Sequence, residues 1–183
     1  FHSLYVNQNC QRFRETGPIY RLLCEHFDCV IRNVVVPHKS LYLEKDFFVS
    51  ARGVPFVLEI KNWKGEIGID GDKFYQAKGN GVRKLQKSPV GTTNQFLRRM
   101  KEFYGIDRPI YGVVVFSVPD CTLALPEELD GVALLPAHKL VPYQEAVPPR
   151  CACPEGALCP QEGKSADQRR KLRAEDKLRR LHL

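Results

Sequence analysis

The run Phe47-Phe48-Val49-Ser50 and the run Val54-Pro55-Phe56-Val57-Leu58-Glu59-Ile60 are separated by Ala51-Arg52-Gly53, and nothing else in the chain restricts its folding as much. β-Branched and aromatic residues on both sides of a glycine-containing turn predict a hairpin. With Arg52-Gly53 as the loop, Asp46 falls opposite Glu59. With Ala51-Arg52-Gly53 as the loop and Gly53 left-handed, the register slips by one and the two acids become diagonal neighbours. Either way their Cβ atoms lie roughly 5 to 8 Å apart. Lys61 shares the face of Glu59, because side chains at i and i+2 point the same way, and Leu58 and Ile60 point to the other face, into a core.

An Asp, a Glu and a Lys thus converge on one face of a hydrophobic hairpin. Adjacent carboxylates repel, which raises one pKa unless a cation lies between them. A hard divalent ion with oxygen ligands, Mg²⁺ above all, would neutralise them, and the Lys ammonium would meet charge developing on a phosphate. That is the minimum set for metal-assisted phosphodiester hydrolysis. Spacing alone favours a plainer reading, three solvated charges on the wet face of a half-buried hairpin.

The string Asp46…Glu59-Ile60-Lys61-Asn62-Trp63-Lys64-Gly65-Glu66-Ile67 resembles the core of the nuclease-related domain (NERD) family, placed in the PD-(D/E)XK restriction-endonuclease-like superfamily. The resemblance implies Asp46 and Glu59 as ligands of Mg²⁺ or Mn²⁺, the Ile60 carbonyl as a further ligand and Lys61 as the catalytic lysine. It also implies nucleic acid as substrate and partner. Three positions depart from the family pattern. Pro18 stands where relatives carry a metal-supporting Glu, with Glu15 and Glu25 as distant substitutes. Lys45 replaces an aliphatic residue, and alternation points it away from Asp46. Thr92 aligns with the Gln of an Asn-Pro-Val-x-Gln segment, with Gln95 one turn further along. These departures motivate a second expectation, a degenerate nuclease-like module that binds nucleic acid or a protein partner without cleaving.

The remaining segments predict an α/β fold with a mixed central sheet and flanking helices, restriction-endonuclease-like on the strength of the resemblance. Thr16-Gly17-Pro18 reads as a helix start, followed by an apolar face of Ile19, Leu22, Leu23 and Phe27. Residues 29–36 read as a strand closed by Pro37, with Cys24 and Cys29 as small core residues. Residues 38–44 read as a loop, its His38 a surface group or a phosphate contact. Strands follow at 66–70, at 74–75 and at 82–85, and Trp63 is expected to cap the core rather than stack on a base. Ser88-Pro89 opens a helix with a stripe of Val90, Thr93, Leu97, Met100 and Tyr104, widened by Phe96 and Phe103 and stopped by Gly105. Arg98, Arg99 and Lys101 lie off that stripe; with Lys64 they are candidates for a phosphate backbone, against the alternative of a solvated face. Residues 110–117 read as a central strand and 132–135 as a shorter one, followed by a helical turn to Tyr143.

The formal net charge of +7 favours acidic partners without establishing them. An odd number of cysteines, 7, fits a reducing intracellular compartment better than a disulfide framework. No apolar run is long enough for a membrane span, and a first residue of Phe1 suggests a trimmed or partial chain. Residues 1–147 are expected to form the nuclease-like domain and 148–164 a Cys-, Pro- and Gly-rich linker. Residues 165–183 read as a basic helix that docks on the body, mediates association, contacts nucleic acid or stays solvated. Cys151, Cys153 and Cys159 lack the paired spacing of a structural zinc site, so zinc is not expected.

Overall fold

The central hairpin closes through Arg52 and Gly53, with Ala51 opposite Val54 and Phe47 opposite Leu58. Both loop residues have positive φ, 50° and 76°, the twist that a two-residue hairpin needs between right-twisted strands. The computed structural model describes residues 5–6, 17–71, 73–77, 79 and 81–148. All of them fall inside the unit Phe1–Arg150. The expected linker, the basic C-terminal helix and Cys151, Cys153 and Cys159 lie outside the described residues.

The order is β1 (Tyr5–Val6), α1 (Gly17–His26), β2 (Cys29–His38), β3 (Leu41–Ala51), β4 (Val54–Lys61), β5 (Gly65–Asp70), β6 (Lys73–Ala77), β7 (Arg83–Gln86), α2 (Pro89–Tyr104), β8 (Tyr111–Phe116), β9 (Cys121–Ala124), β10 (Glu128–Leu129), β11 (Val132–Pro136) and α3 (Leu140–Ala146). One sheet has the order β1-β2-β3-β4-β8-β11-β10 and the other β7-β6-β5-β9. In the first, β4, β8 and β11 run parallel while the other neighbours are antiparallel. The fold is therefore mixed α/β with flanking helices. β8, between β4 and β11, is apolar on both faces, as its Val113-Val114-Val115-Phe116 run predicts.

Helices α1 and α3 cover one face of the large sheet, where Ile19, Leu23, Phe27 and Leu140 pack on Phe47, Val49, Phe56, Leu58 and Val113. Tyr20 stacks on Phe47 and Phe27 meets Phe56 edge-on, contacts worth about 0.5–1.5 kcal/mol each beyond area burial. Helix α2 covers the opposite face through Phe96, Leu97 and Met100 against Val34, Val36, Phe48 and Val57. Its start is capped by Ser88 Oγ, which accepts the Gly91 N–H at 3.1 Å, and its end by left-handed Gly105. Gly112 lets α2 settle on β8: a Cβ there would lie 2.9 Å from Thr93 Cγ2 and 3.0 Å from Leu97 Cδ1.

Some expectations are corrected. Residues 38–44 are not a loop: β2 runs to His38 and β3 begins at Leu41, with Lys39 and Ser40 as the turn and His38 opposite Leu41. Pro37 stays in the ladder opposite Tyr42, one pair before the turn. Cys24 and Cys29 are exposed. Phe103 is 41% exposed, edge-on to Tyr104, so the apolar stripe of α2 is narrower than its composition suggests.

Candidate functional site

Alternation along β2 and β3 breaks once, and the site follows from that break. Ile31, Val34, Val36, Leu43, Phe48 and Val57 pack on the α2 side, whereas Val30, Phe47, Leu58 and Ile60 pack on the α1 side. Leu43 and Phe48 are an odd number of residues apart yet share a side, as do Ile31 and Val34. A change of face therefore lies between them, beside Asn33, whose φ of 53° departs from strand geometry. The change brings Lys45 to the α2 side, where its Nζ donates to Glu59 Oε2 at 2.8 Å and to Thr92 Oγ1 at 3.2 Å. This corrects the expected orientation of Lys45.

The regular β3–β4 pairing stops at Phe47 and Leu58. Beyond it, the Asp46 Oδ2 accepts the backbone N–H of Ile60 at 2.7 Å. Glu59 lies on β4 beside Val114 of β8, and Lys61 Nζ donates to its Oε1 at 2.5 Å. The structure thus gathers Asp46, Glu59, Ile60, Lys61 and Thr92, and adds Lys45. The Lys45 side chain is 4% exposed and that of Lys61 22%. Lys61 Nζ also lies 5.9 Å from the Trp63 ring centre, and Trp63 packs on Phe116 at 5.9 Å, in the core-capping place expected for it. Asn62 Oδ1 accepts from Ser117 Oγ, tying the ends of β4 and β8 together.

Burial pushes the Glu59 carboxyl up, but the Lys45 and Lys61 ammonium groups outweigh it and hold it below the ordinary carboxylate value. Burial pulls the Lys45 ammonium below the ordinary lysine value, against the opposing pull of Glu59; Asp46 acts on it in the same sense as Glu59 and Lys61 in the opposite one. One ammonium therefore senses both carboxylates.

Gln95 is placed elsewhere. Its Nε2 lies 3.5 Å from His38 Nε2, in a groove also lined by Lys39, Arg98, Arg99 and Glu102. Arg99 is held there by the Pro37 carbonyl at 2.7 Å and Glu102 at 3.3 Å, while Arg98 is exposed. Lys64 and Lys101 do not line this groove. Glu25 is exposed on α1, as is Pro18, and Glu15 lies outside the described residues.

The oxygen donors Asp46, Glu59 and the Ile60 carbonyl have the right chemistry for Mg²⁺, but their arrangement does not fit a divalent ion. Both Glu59 oxygens already accept from ammonium groups, and one Asp46 oxygen accepts a peptide N–H. Among the described residues no three His, Cys, Asp or Glu side chains group to hold a metal.

The model of the nuclease-related domain family matches residues 15–117, more than half of the 183 residues. The chain belongs to the nuclease-related domain family. This nuclease-related domain is also similar to the crystal structure of a repair endonuclease from Pyrococcus abyssi, at 18% identity and a TM-score of 0.32. The likeness covers 78% of this chain and 46% of that one, so the chain spans less than half of that neighbour's length. No curated protein matches it. Among the described residues no helix is long and apolar enough to cross a membrane.

Lys45 is the residue that sequence reasoning misplaced. Strict alternation put its ammonium among Phe47 and Val49, in a core that has no counter-charge for it. That conflict was the available signal of a change of face.

Proposed function

We propose that this nuclease-related domain binds the phosphodiester backbone of nucleic acid at the cluster between β3, β4 and the first turn of α2, and holds the strand there without cutting it. The observation that carries this reading is the pairing of one carboxylate, Glu59, with two ammonium groups at 2.8 and 2.5 Å. Lys45 is buried and keeps Glu59 compensated, so the more exposed Lys61 can swing to a phosphate oxygen without stranding a buried charge. Trp63 beside it offers a face for an adjacent sugar or base. The basic groove at Arg98 and Arg99 supports the flanking backbone, and the net charge of +7 adds long-range attraction.

A second reading, Mg²⁺- or Mn²⁺-dependent hydrolysis with Asp46, Glu59 and the Ile60 carbonyl as ligands and Lys61 as catalytic lysine, is favoured by the family-like order of these groups on adjoining strands. It requires Lys45 to leave Glu59. Fluorescence anisotropy with single- and double-stranded DNA and RNA, in EDTA, tests the first reading, and gel assays of the same oligonucleotides with Mg²⁺ or Mn²⁺ test the second. Binding in EDTA that weakens in Lys61→Ala, with no cleavage in either metal, is expected. Metal-dependent cleavage abolished in Lys61→Ala would replace the first reading with the second. Wild-type protein that neither binds nor cleaves any of these strands would remove both.

A further inference from the structure

We propose that the Lys45 ammonium is a built-in counter-cation that occupies the place of a divalent ion, so that the nuclease-type site is assembled without metal. This deepens the reading above and rests on the same cluster. Three features of the cluster converge on it. The first is position: Nζ of Lys45 bridges Glu59 Oε2 on β4 and Thr92 Oγ1 on α2, at 2.8 and 3.2 Å, and so takes up a carboxylate oxygen that a hard cation would use. Thr92 Oγ1 in turn donates to the Pro89 carbonyl at 3.0 Å, which leaves its oxygen lone pairs toward the ammonium.

The second is charge. Asp46 and Glu59 supply two negative charges and Lys45 and Lys61 two positive ones, so the cluster is balanced as it stands. A divalent ion added to it would leave an excess of two positive charges at a site of low exposure. Without Lys45 the sum becomes negative, and a carboxylate with one oxygen released is the arrangement that attracts a cation.

The third is how Lys45 is held. Its side chain is 4% exposed, and it reaches the α2 side only because β2 and β3 change face beside Asn33. The ammonium is therefore built in by the backbone path and cannot simply relax into solvent, unlike Lys61.

The test is Mn²⁺ binding, read by calorimetry and by the loss of free-ion paramagnetic resonance signal, on the full chain without nucleic acid. The wild type is compared with Lys45→Met, which keeps the length and apolar stem, and with Lys45→Met/Glu59→Gln, which removes the acid again. The expected result is no wild-type site at millimolar Mn²⁺. Lys45→Met gains a single site at least about tenfold tighter, the scale on which groups touching metal ligands act. The double variant loses it. A wild-type site that Glu59→Gln abolishes would overturn the proposal, as would a folded Lys45→Met that gains nothing. Should Lys45→Met not fold, the wild-type and Glu59→Gln titrations decide by themselves. Oligonucleotide anisotropy in EDTA is scored separately. Its failure removes the nucleic-acid reading and leaves the Mn²⁺ result standing, so the two cannot be confused.

Discussion

The carboxylate of Asp46 accepts the backbone N–H of Ile60 at 2.7 Å, beyond the last regular pair of the β3–β4 ladder. A side chain thus continues the strand contact beyond the last paired residues, next to the point where Lys45 and Lys61 meet Glu59. Asp46 is in this sense a structural fastener of the site.

Asp46→Ala is therefore expected to destabilise the fold by about 1–3 kcal/mol, since a half-buried N–H loses its acceptor. Asp46→Asn, which retains an acceptor oxygen, should lose less. Urea denaturation of both variants measures the difference, and equal losses would assign Asp46 no fastening role.

Glu59→Gln should be the costlier change. It takes from the buried Lys45 ammonium the one carboxylate that it is seen to donate to, and about 3–5 kcal/mol is the usual scale for breaking a buried pair. Adding Lys45→Met should restore most of the loss, because a missing pair is far less harmful than half of one. A double-mutant cycle in urea or heat measures the coupling, and simple additivity of the two changes would contradict the pairing.

The acid limb of the stability profile should reflect the same pair. Glu59 has its carboxyl held below the reference value of 4.5, so the unfolded chain binds more protons than the native one as pH falls toward and below that value. Its stabilisation is complete above about pH 4.5 and is lost as pH drops through the lower native value. Lys45 is lowered from 10.5, so between its native and unfolded values stability rises with pH, the same sign of slope at the alkaline end. Denaturation from pH 3 to 7 should show a shallower acid limb in Lys45→Met than in the wild type, since one of the two cations holding Glu59 down is gone.

Gly112→Ala should lift α2 from β8, because the new methyl would fall 2.9 Å from Thr93 Cγ2 and 3.2 Å from Val132 Cγ2. Overpacking of this kind costs about 1–3 kcal/mol. Thr93→Ser in the same chain removes the clashing methyl and should recover part of it. Thermal midpoints of the single and double variants check this, and oligonucleotide anisotropy reports whether displacement of Thr92 also weakens the site.

Much of this architecture is legible one segment at a time. The hairpin around Ala51-Arg52-Gly53 follows from β-rich runs on both sides of a glycine-containing turn, but the sequence left two registers open, and only the positive φ of both Arg52 and Gly53 decided for the two-residue loop. Ser88-Pro89 and Gly105 mark the ends of α2 through caps that involve only near neighbours. The apolar run of β8 places it between two other strands. The β2–β3 hairpin was not legible, since its turn at Lys39-Ser40 has no glycine and follows a proline that strands usually avoid. Neither was the exposure of Cys24, Cys29 and Phe103, which depends on which neighbours arrive.

By itself the chain determined the hairpin, the helix ends and the presence of Asp46, Glu59 and Lys61 in one neighbourhood, because local backbone preference and period-two alternation act over a few residues. Only the tertiary structure decided that Lys45 joins them, because a single left-handed residue on the adjoining strand, Asn33, accompanies a change of face that no periodicity within β3 reveals. A buried ammonium goes where a carboxylate can meet it, and that carboxylate lies on another strand.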